Sequence, residues 1–334
     1  MLSNLVPVDD ASRVGEIRRL AVTAARSEGL NEQACEEVAI IATEIASNLV
    51  KHARSGEVQI TRLSQSGPSG VEILSIDGGP GMLEWRDCLA DGFSTSGTPG
   101  TGLGAVSRLS DVFDLYSQAG KGTVLVARRL SEGPSDPLLS RWNIGTVVAP
   151  YPGEAVCGDA WGVRSSGGGL ALIVADGLGH GLLASDASTA AVRTFWQSAA
   201  DSIRMLLEEV HLALRHTRGA AVAISLIESS NRSVRFAGLG NITGVLLGGV
   251  RPQFMTSHNG TAGLGARTVQ EFAYNLPAEG VIVMHSDGLS TSWTIDAYPG
   301  LIRRHPSIIA GVLYRDASRR RDDSCVLVAR SSAS

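Results

Sequence analysis

The stretch Leu170-Ala171-Leu172-Ile173-Val174-Ala175-Asp176-Gly177-Leu178-Gly179-His180-Gly181 decides how the second half of this chain is read. An apolar run ends on an aspartate, and glycine follows at once. The same pattern recurs at Val281-Ile282-Val283-Met284-His285-Ser286-Asp287-Gly288-Leu289. Short apolar runs bounded by glycine read as buried strands. Asp159 in Cys157-Gly158-Asp159-Ala160-Trp161 and the pair Asp322-Asp323 in Arg321-Asp322-Asp323-Ser324 add further carboxylates. Any one Asp-Gly is an ordinary turn; a set of strand-end carboxylates is harder to explain that way. Buried carboxylates gathered at one end of a sheet repel each other unless cations intervene. Two divalent ions about 3.5–4 Å apart would remove that penalty and acidify a water between them, which is the chemistry of a hydrolytic centre.

Working outward, 334 residues suit two domains of ordinary size, and 43% hydrophobic content supplies material for two cores. The net charge of −4, with no long run of either sign, argues against a nucleic-acid footprint. Cys35, Cys88, Cys157 and Cys325 form no CxxC pair, which speaks against a zinc knuckle or a disulfide framework and for a reducing compartment. The start, Met1-Leu2-Ser3-Asn4-Leu5-Val6-Pro7, does not read as a signal peptide, and no apolar run is long enough to span a bilayer. The expected location is cytoplasmic, without membrane or nucleic-acid partners. The polar, proline-bearing stretch Ser131-Glu132-Gly133-Pro134-Ser135-Asp136-Pro137 marks a boundary. The expected division is a first domain over 1–130, a linker over 131–140 and a second domain over 141–334.

In the first half, 36–53 reads as a helix with Val38, Ile41, Ile45 and Leu49 on one face, 71–76 and 123–129 as strands, and 104–111 as a further helix. In the second half, strands are expected at 170–175, 221–227, 233–237, 281–285 and 325–329, and helices at 184–199 and 203–216. Gly167-Gly168-Gly169 and Gly248-Gly249 read as hairpin turns. The fold class is α+β in two domains: an α/β sandwich with a mixed sheet, then a β-sandwich flanked by helices.

The first half also carries chemistry. Glu44 and Asn48 lie four apart on one helix, so they share a face. A carboxylate there can orient or deprotonate a hydroxyl, and an amide oxygen can ligate Mg²⁺. Asp77-Gly78-Gly79-Pro80-Gly81 follows a strand, where an aspartate can accept from an adenine amino group. Gly100-Thr101-Gly102-Leu103-Gly104 opens a helix whose amides suit a triphosphate, and Gly120-Lys121-Gly122-Thr123 opens the last strand. Each motif alone is weak; their order and spacing give them weight. Together they resemble the GHKL ATPase/kinase superfamily, nearest its RsbT-like switch kinases and anti-sigma kinases, over roughly residues 10 to 130. Asp91-Gly92-Phe93-Ser94-Thr95-Ser96 adds to the RsbT-like resemblance. The resemblance implies Glu44 as base, Asn48 as Mg²⁺ ligand, and Asp77, Gly79, Gly81, Gly100, Gly102, Leu103, Gly104 and Thr123 as the ATP site.

Residues 141 to 330 resemble the metal-dependent (PPM-type) protein serine/threonine phosphatases, nearest the SpoIIE/RsbX-like subgroup. That resemblance implies an αββα sandwich and a shell of Asp159, Asp176, the Gly177 carbonyl, Asp287 and Asp322 around two Mn²⁺ or Mg²⁺ ions. Asp176 and Asp287 are the catalytic pair, and Asp176 would bridge both ions. Asp323, His180 and Arg218 (in Thr217-Arg218-Gly219-Ala220-Ala221) are weaker candidates, and Gly238-Leu239-Gly240-Asn241 reads as a structural turn. Many metal-dependent phosphatases of other lineages carry an early arginine for the substrate phosphate, and the sequence alone does not place that residue here. The combined expectation is a serine/threonine kinase and an opposing phosphatase on one chain, acting on STAS-domain proteins in a bacterial partner-switching pathway. A sigma factor or downstream switch protein is a further expected partner, and the resemblance allows a homodimer. The alternative is a phosphatase alone, with the first domain as an ATP/ADP sensor or a sigma-factor- or STAS-binding module.

Overall fold

A computed structural model describes residues 3–64, 67–82, 102–132, 136–200, 202–228, 230–264 and 269–332. The chain forms two compact units, one of residues 1–64, 68–135 and 303–315 and the other of residues 65–67, 136–302 and 316–334. One break between the units falls at 135/136. Assignment of 303–315 to the first unit differs from the contiguous division read from the sequence.

The first unit is built on strands β1 (Ser3–Val8), β2 (Gly56–Arg62), β3 (Gly70–Ile76), β4 (Val112–Gln118) and β5 (Gly122–Leu130). They form one sheet in the order β1-β2-β3-β5-β4, every pair antiparallel. The expected mixed sheet is therefore a fully antiparallel one, because each neighbouring pair runs in opposite directions. Helices α1 (Ser12–Ser27) and α2 (Glu32–His52) cover one face. Asn31 caps α2 by accepting from the Ala34 amide at 2.8 Å. The expected apolar stripe Val38, Ile41, Ile45 and Leu49 is buried there with Ile17 and Ile73. The opposite face carries buried polar side chains that need partners: Gln59, Thr61 and Glu72. Helix α3 (Gly102–Leu109) precedes β4 in the chain.

The segment 303–315 includes most of a later helix, α6 (Pro306–Ala317), and supplies one of those partners. Ser307 Oγ donates to Glu72 Oε2 at 2.6 Å, and Arg128 Nε donates to the same oxygen at 2.7 Å. Asp114 accepts from Arg304 at 3.1 Å and from the His305 amide at 2.8 Å. A Cβ on Gly311 would stand 2.7 Å from Val124, so this helix lies directly on the sheet.

The second unit pairs two antiparallel five-stranded sheets. The first contains β7 (Asp159–Ser166), β8 (Gly169–Gly177), β9 (Ala220–Glu228), β10 (Ser233–Leu239) and β13 (Phe272–Asn275), in the order β13-β10-β9-β8-β7. The second contains β6 (Trp142–Ala149), β11 (Thr243–Leu247), β12 (Gln253–Met255), β14 (Val281–His285) and β15 (Ser324–Ser331), in the order β12-β11-β14-β15-β6. Alternating residues of both sheets make the core between them, including Trp161, Leu172, Phe236, Met284 and Leu327. Helices α4 (Leu182–Gln197) and α5 (Ile203–Ala213) cover the outer face of the first sheet through Phe195, Leu206 and Val210. Gly167 and Gly168 turn the β7–β8 hairpin with φ of 54° and 82°, as a two-residue turn requires. This hairpin sets the register that matters below.

Candidate functional site

The β7–β8 register places Asp159 directly opposite Asp176. Like charges facing across a strand pair are unfavourable, so this is not an arrangement that packing alone would select. Asp287 follows β14 and Asp322-Asp323 precede β15, so adjoining strand ends of both sheets deliver the carboxylates to one place. Burial pushes Asp176 up to about 7, with the Asp287 and Asp322 charges adding to it. Burial raises Asp159 well above the usual carboxylate range, and Asp176 adds to the effect. Asp287 is also raised, by burial and by Asp322, with Arg319 opposing.

Neither oxygen of Asp159 makes a well-formed hydrogen bond, although the Ser286 hydroxyl is near enough to offset part of its burial. Asp323 is buried; its Oδ1 accepts from the Tyr151 amide at 2.8 Å and its Oδ2 has no partner. Buried, unpaired, mutually repelling carboxylate oxygens are what divalent cations would satisfy. Among the described residues, no three His, Cys, Asp or Glu side chains close tightly enough to hold an ion by themselves.

Local packing explains the glycines. A Cβ on Gly177 would overlap the Ala184 carbonyl, and one on Gly158 would stand 2.6 Å from Asp323 Oδ2. Gly177 is thus required by the close approach of α4, a reason the sequence does not reveal. Cys157 and Cys325 do not offer thiolates, since burial raises both thiols well above their ordinary value. Cys157 Sγ instead donates to the Ala149 carbonyl at 3.3 Å and accepts from the Asp159 amide at 3.4 Å.

Sequence reasoning missed three neighbours of the cluster. Asn241, read as part of a structural turn, donates from Nδ2 to Asp287 Oδ2 at 2.6 Å and orients it. Glu154 Oε1 lies 2.7 Å from His180 Nδ1, and Tyr151 stacks on the His180 ring at 4.4 Å. Tyr151 and Glu154 sit just before the Cys157-Gly158-Asp159 motif, which was the available signal. Asp323, the weaker candidate, is the buried member of its pair, whereas Asp322 is exposed.

In the first unit, the helical spacing brings Glu44 and Asn48 to one face of α2, where α3 begins. A Cβ on Gly102 would stand 2.9 Å from Glu44 Oε2 and 3.8 Å from Asn48 Oδ1. Asp77 Oδ1 accepts from the Gly79 amide at 2.6 Å, and burial raises its carboxyl. Gly81 has φ of 71° and lies against the Gln118 carbonyl, where no side chain would fit. Thr123 Oγ1 is 2.9 Å from Ser117 Oγ, and the Thr123 carbonyl accepts from the Asp77 amide at 2.9 Å. Leu103 packs against the core and Gly104 is buried within α3. Gly100 and the 91–96 segment lie outside the described residues.

An α/β unit with a carboxylate–amide pair facing a helix start, followed by a β-sandwich with strand-end aspartates, defines a protein that joins a nucleotide-binding domain to a metal-dependent phosphatase domain. The chain belongs to two families at once: residues 6–129 match the histidine kinase-like ATPase domain family, and residues 166–332 match the stage II sporulation protein E (SpoIIE) family. It is 36% identical to serine/threonine-protein kinase RsbT of Bacillus subtilis (strain 168) over 110 residues, covering 33% of this chain and 83% of RsbT. It is 30% identical to phosphoserine phosphatase RsbX of the same organism over 94 residues, 28% of this chain; the matched part spans about half of RsbX, 47%. A solved chain described under "The bacterial stressosome: a modular system that has been adapted to control secondary messenger signaling" aligns with a TM-score of 0.53 and 26% identity, covering 57% of this chain and 99% of that one. Among the described residues, no helix is long and apolar enough to cross a membrane.

Proposed function

We propose that this chain both adds phosphate to and removes it from serine or threonine of a STAS-domain protein. The observation that carries the phosphatase half is the Asp159–Asp176 pair, held face to face by the hairpin register and joined by Asp287, Asp322 and Asp323. Bound Mn²⁺ or Mg²⁺ would supply a water activated near neutral pH. The chain's own part is to present Asp159, Asp176, the Gly177 carbonyl, Asp287 and Asp322 as ligands, with Asn241 holding Asp287 in place. Asp323 stays fixed by the Tyr151 amide.

In the kinase half, Glu44 accepts the proton of the acceptor hydroxyl and Asn48 ligates the Mg²⁺ that accompanies ATP. Asp77 receives the adenine amino group, with Gly79 and Gly81 keeping the backbone close, and the start of α3 faces the phosphates. The identity to RsbT and RsbX supports a STAS-domain protein as the shared substrate of both halves.

The test follows the intact mass of a purified STAS-domain partner with ATP and Mg²⁺/Mn²⁺, for wild type, Asn48→Ala and Asp176→Asn. The expected result is phosphate accumulating most with Asp176→Asn and never with Asn48→Ala. If no variant adds phosphate while wild type strips a pre-phosphorylated partner, the first unit is a nucleotide sensor and the kinase assignment fails.

A further inference from the structure

Four large apolar side chains in the segments that follow Asp176-Gly177 or pack beside it are left uncovered: Leu178 is 43% exposed, Leu182 71%, Leu183 54% and Leu264 63%. Single exposed leucines are ordinary, but several in one neighbourhood are not. Their positions are fixed by packing. The Leu178 amide donates to the Gly219 carbonyl at 3.0 Å, and a Cβ on Gly219 would lie 3.2 Å from Leu264. Leu182 and Leu183 open α4, whose next residue, Ala184, is locked beneath them against Gly158 and Gly177. Arg218 stands among these residues: its Nη1 lies 3.2 Å from where a Cβ on Gly179 would be. It is exposed, and among the described residues it forms no ion pair.

We propose that Leu178, Leu182, Leu183 and Leu264 form an apolar docking rim for a protein that carries the phosphoserine, with Arg218 as the cation that receives its phosphate. This rests on the phosphatase reading above and adds how that site selects its substrate. The occupant is a phosphoprotein with apolar side chains beside the phosphorylated serine. Leu178 directly follows Asp176-Gly177, Leu182 and Leu183 come a few residues later, and Leu264 joins them through Gly219, so a protein held there lies beside the strand end that carries Asp176. A guanidinium without an ion pair complements a dianionic phosphate. A small phosphate ester would reach the carboxylates without touching the rim.

The experiment measures kcat/KM with Mn²⁺ on a serine-phosphorylated STAS-domain protein and on p-nitrophenyl phosphate. The variants are Leu182→Asp, Leu183→Asp, Leu264→Asp and Arg218→Ala. An acidic residue in the first turn of α4 suits the helix dipole, so the α4 variants should fold. Each leucine variant is expected to lose about tenfold or more on the phosphoprotein while p-nitrophenyl phosphate turnover stays at the wild-type level. Arg218→Ala is expected to raise KM for the phosphoprotein more than it lowers kcat. Undiminished turnover of the phosphoprotein by the leucine variants, or an equal loss on both substrates, overturns the rim. So does a leucine variant that changes only the oligomeric state in light scattering, since a second copy would then own this surface. If wild type hydrolyses neither substrate, the phosphatase reading itself falls and takes this inference with it.

Discussion

Asp287 illustrates what a single residue shows in the sequence and what it conceals. Its place after an apolar run and before Gly288 marks it as a strand-end carboxylate, as with Asp176. The amide that orients it, Asn241, lies 46 residues earlier in a turn that carries no such signature. The same is true of the Tyr151 amide that holds Asp323, 172 positions away. The strand-end carboxylates were legible because burial forces a local pattern; their supporting partners were not, because hydrogen bonds between distant segments leave no periodicity. Outer partners of ligands commonly tune affinity. Asn241→Ala is therefore expected to raise the Mn²⁺ concentration for half-maximal phosphatase activity by about 10- to 100-fold, with the circular dichroism spectrum unchanged. An unchanged metal requirement would mean that Asn241 only closes its turn.

At the scale of elements, the strands and helices with clear periodicity were read correctly in kind and displaced by a few residues at their ends. Helix α2 begins at Glu32, four residues before the expected start, because Asn31 caps it. Helix α6 escaped notice because Ile308, Ile309, Ala310, Val312, Leu313 and Tyr314 are all buried, so no apolar stripe alternates with polar residues. Within the first unit its contacts include Glu72, a buried charge on the far side of that sheet. Arg128 and Ser307 both reach Glu72 Oε2, and the exposure of the paired side chains is 11% for Arg128 and 1% for Glu72. Removing one partner of a buried pair strands the other. Glu72→Ala is expected to destabilise the first unit by about 3 kcal/mol, read as an earlier urea transition. A shift below about 0.5 kcal/mol would show that this pair is no more than a surface bridge.

At the scale of the whole molecule, the carboxylate cluster links stability to pH. An unfolded aspartate titrates near 3.9, whereas Asp176 is pushed up to about 7 in the fold. The folded state thus binds protons more tightly, so this contribution is complete below about pH 4 and is lost as pH rises through about 7. Metal-free protein is expected to lose melting temperature across that window. Added Mg²⁺ or Mn²⁺ should raise the melting temperature more at pH 8 than at pH 5, because the ligands must deprotonate to bind. Equal shifts at both pH values would contradict the cation site.

The central claim, that one chain carries opposing activities, is tested most directly by ADP release with ATP, Mg²⁺/Mn²⁺ and a limiting amount of STAS-domain partner. The account predicts sustained, partner-dependent ADP release by wild type, far beyond one equivalent of partner. It predicts a single equivalent for Asp176→Asn, where phosphate goes on and stays, and none for Asn48→Ala. Sustained release by Asp176→Asn, or no partner-dependent release by wild type, would contradict it.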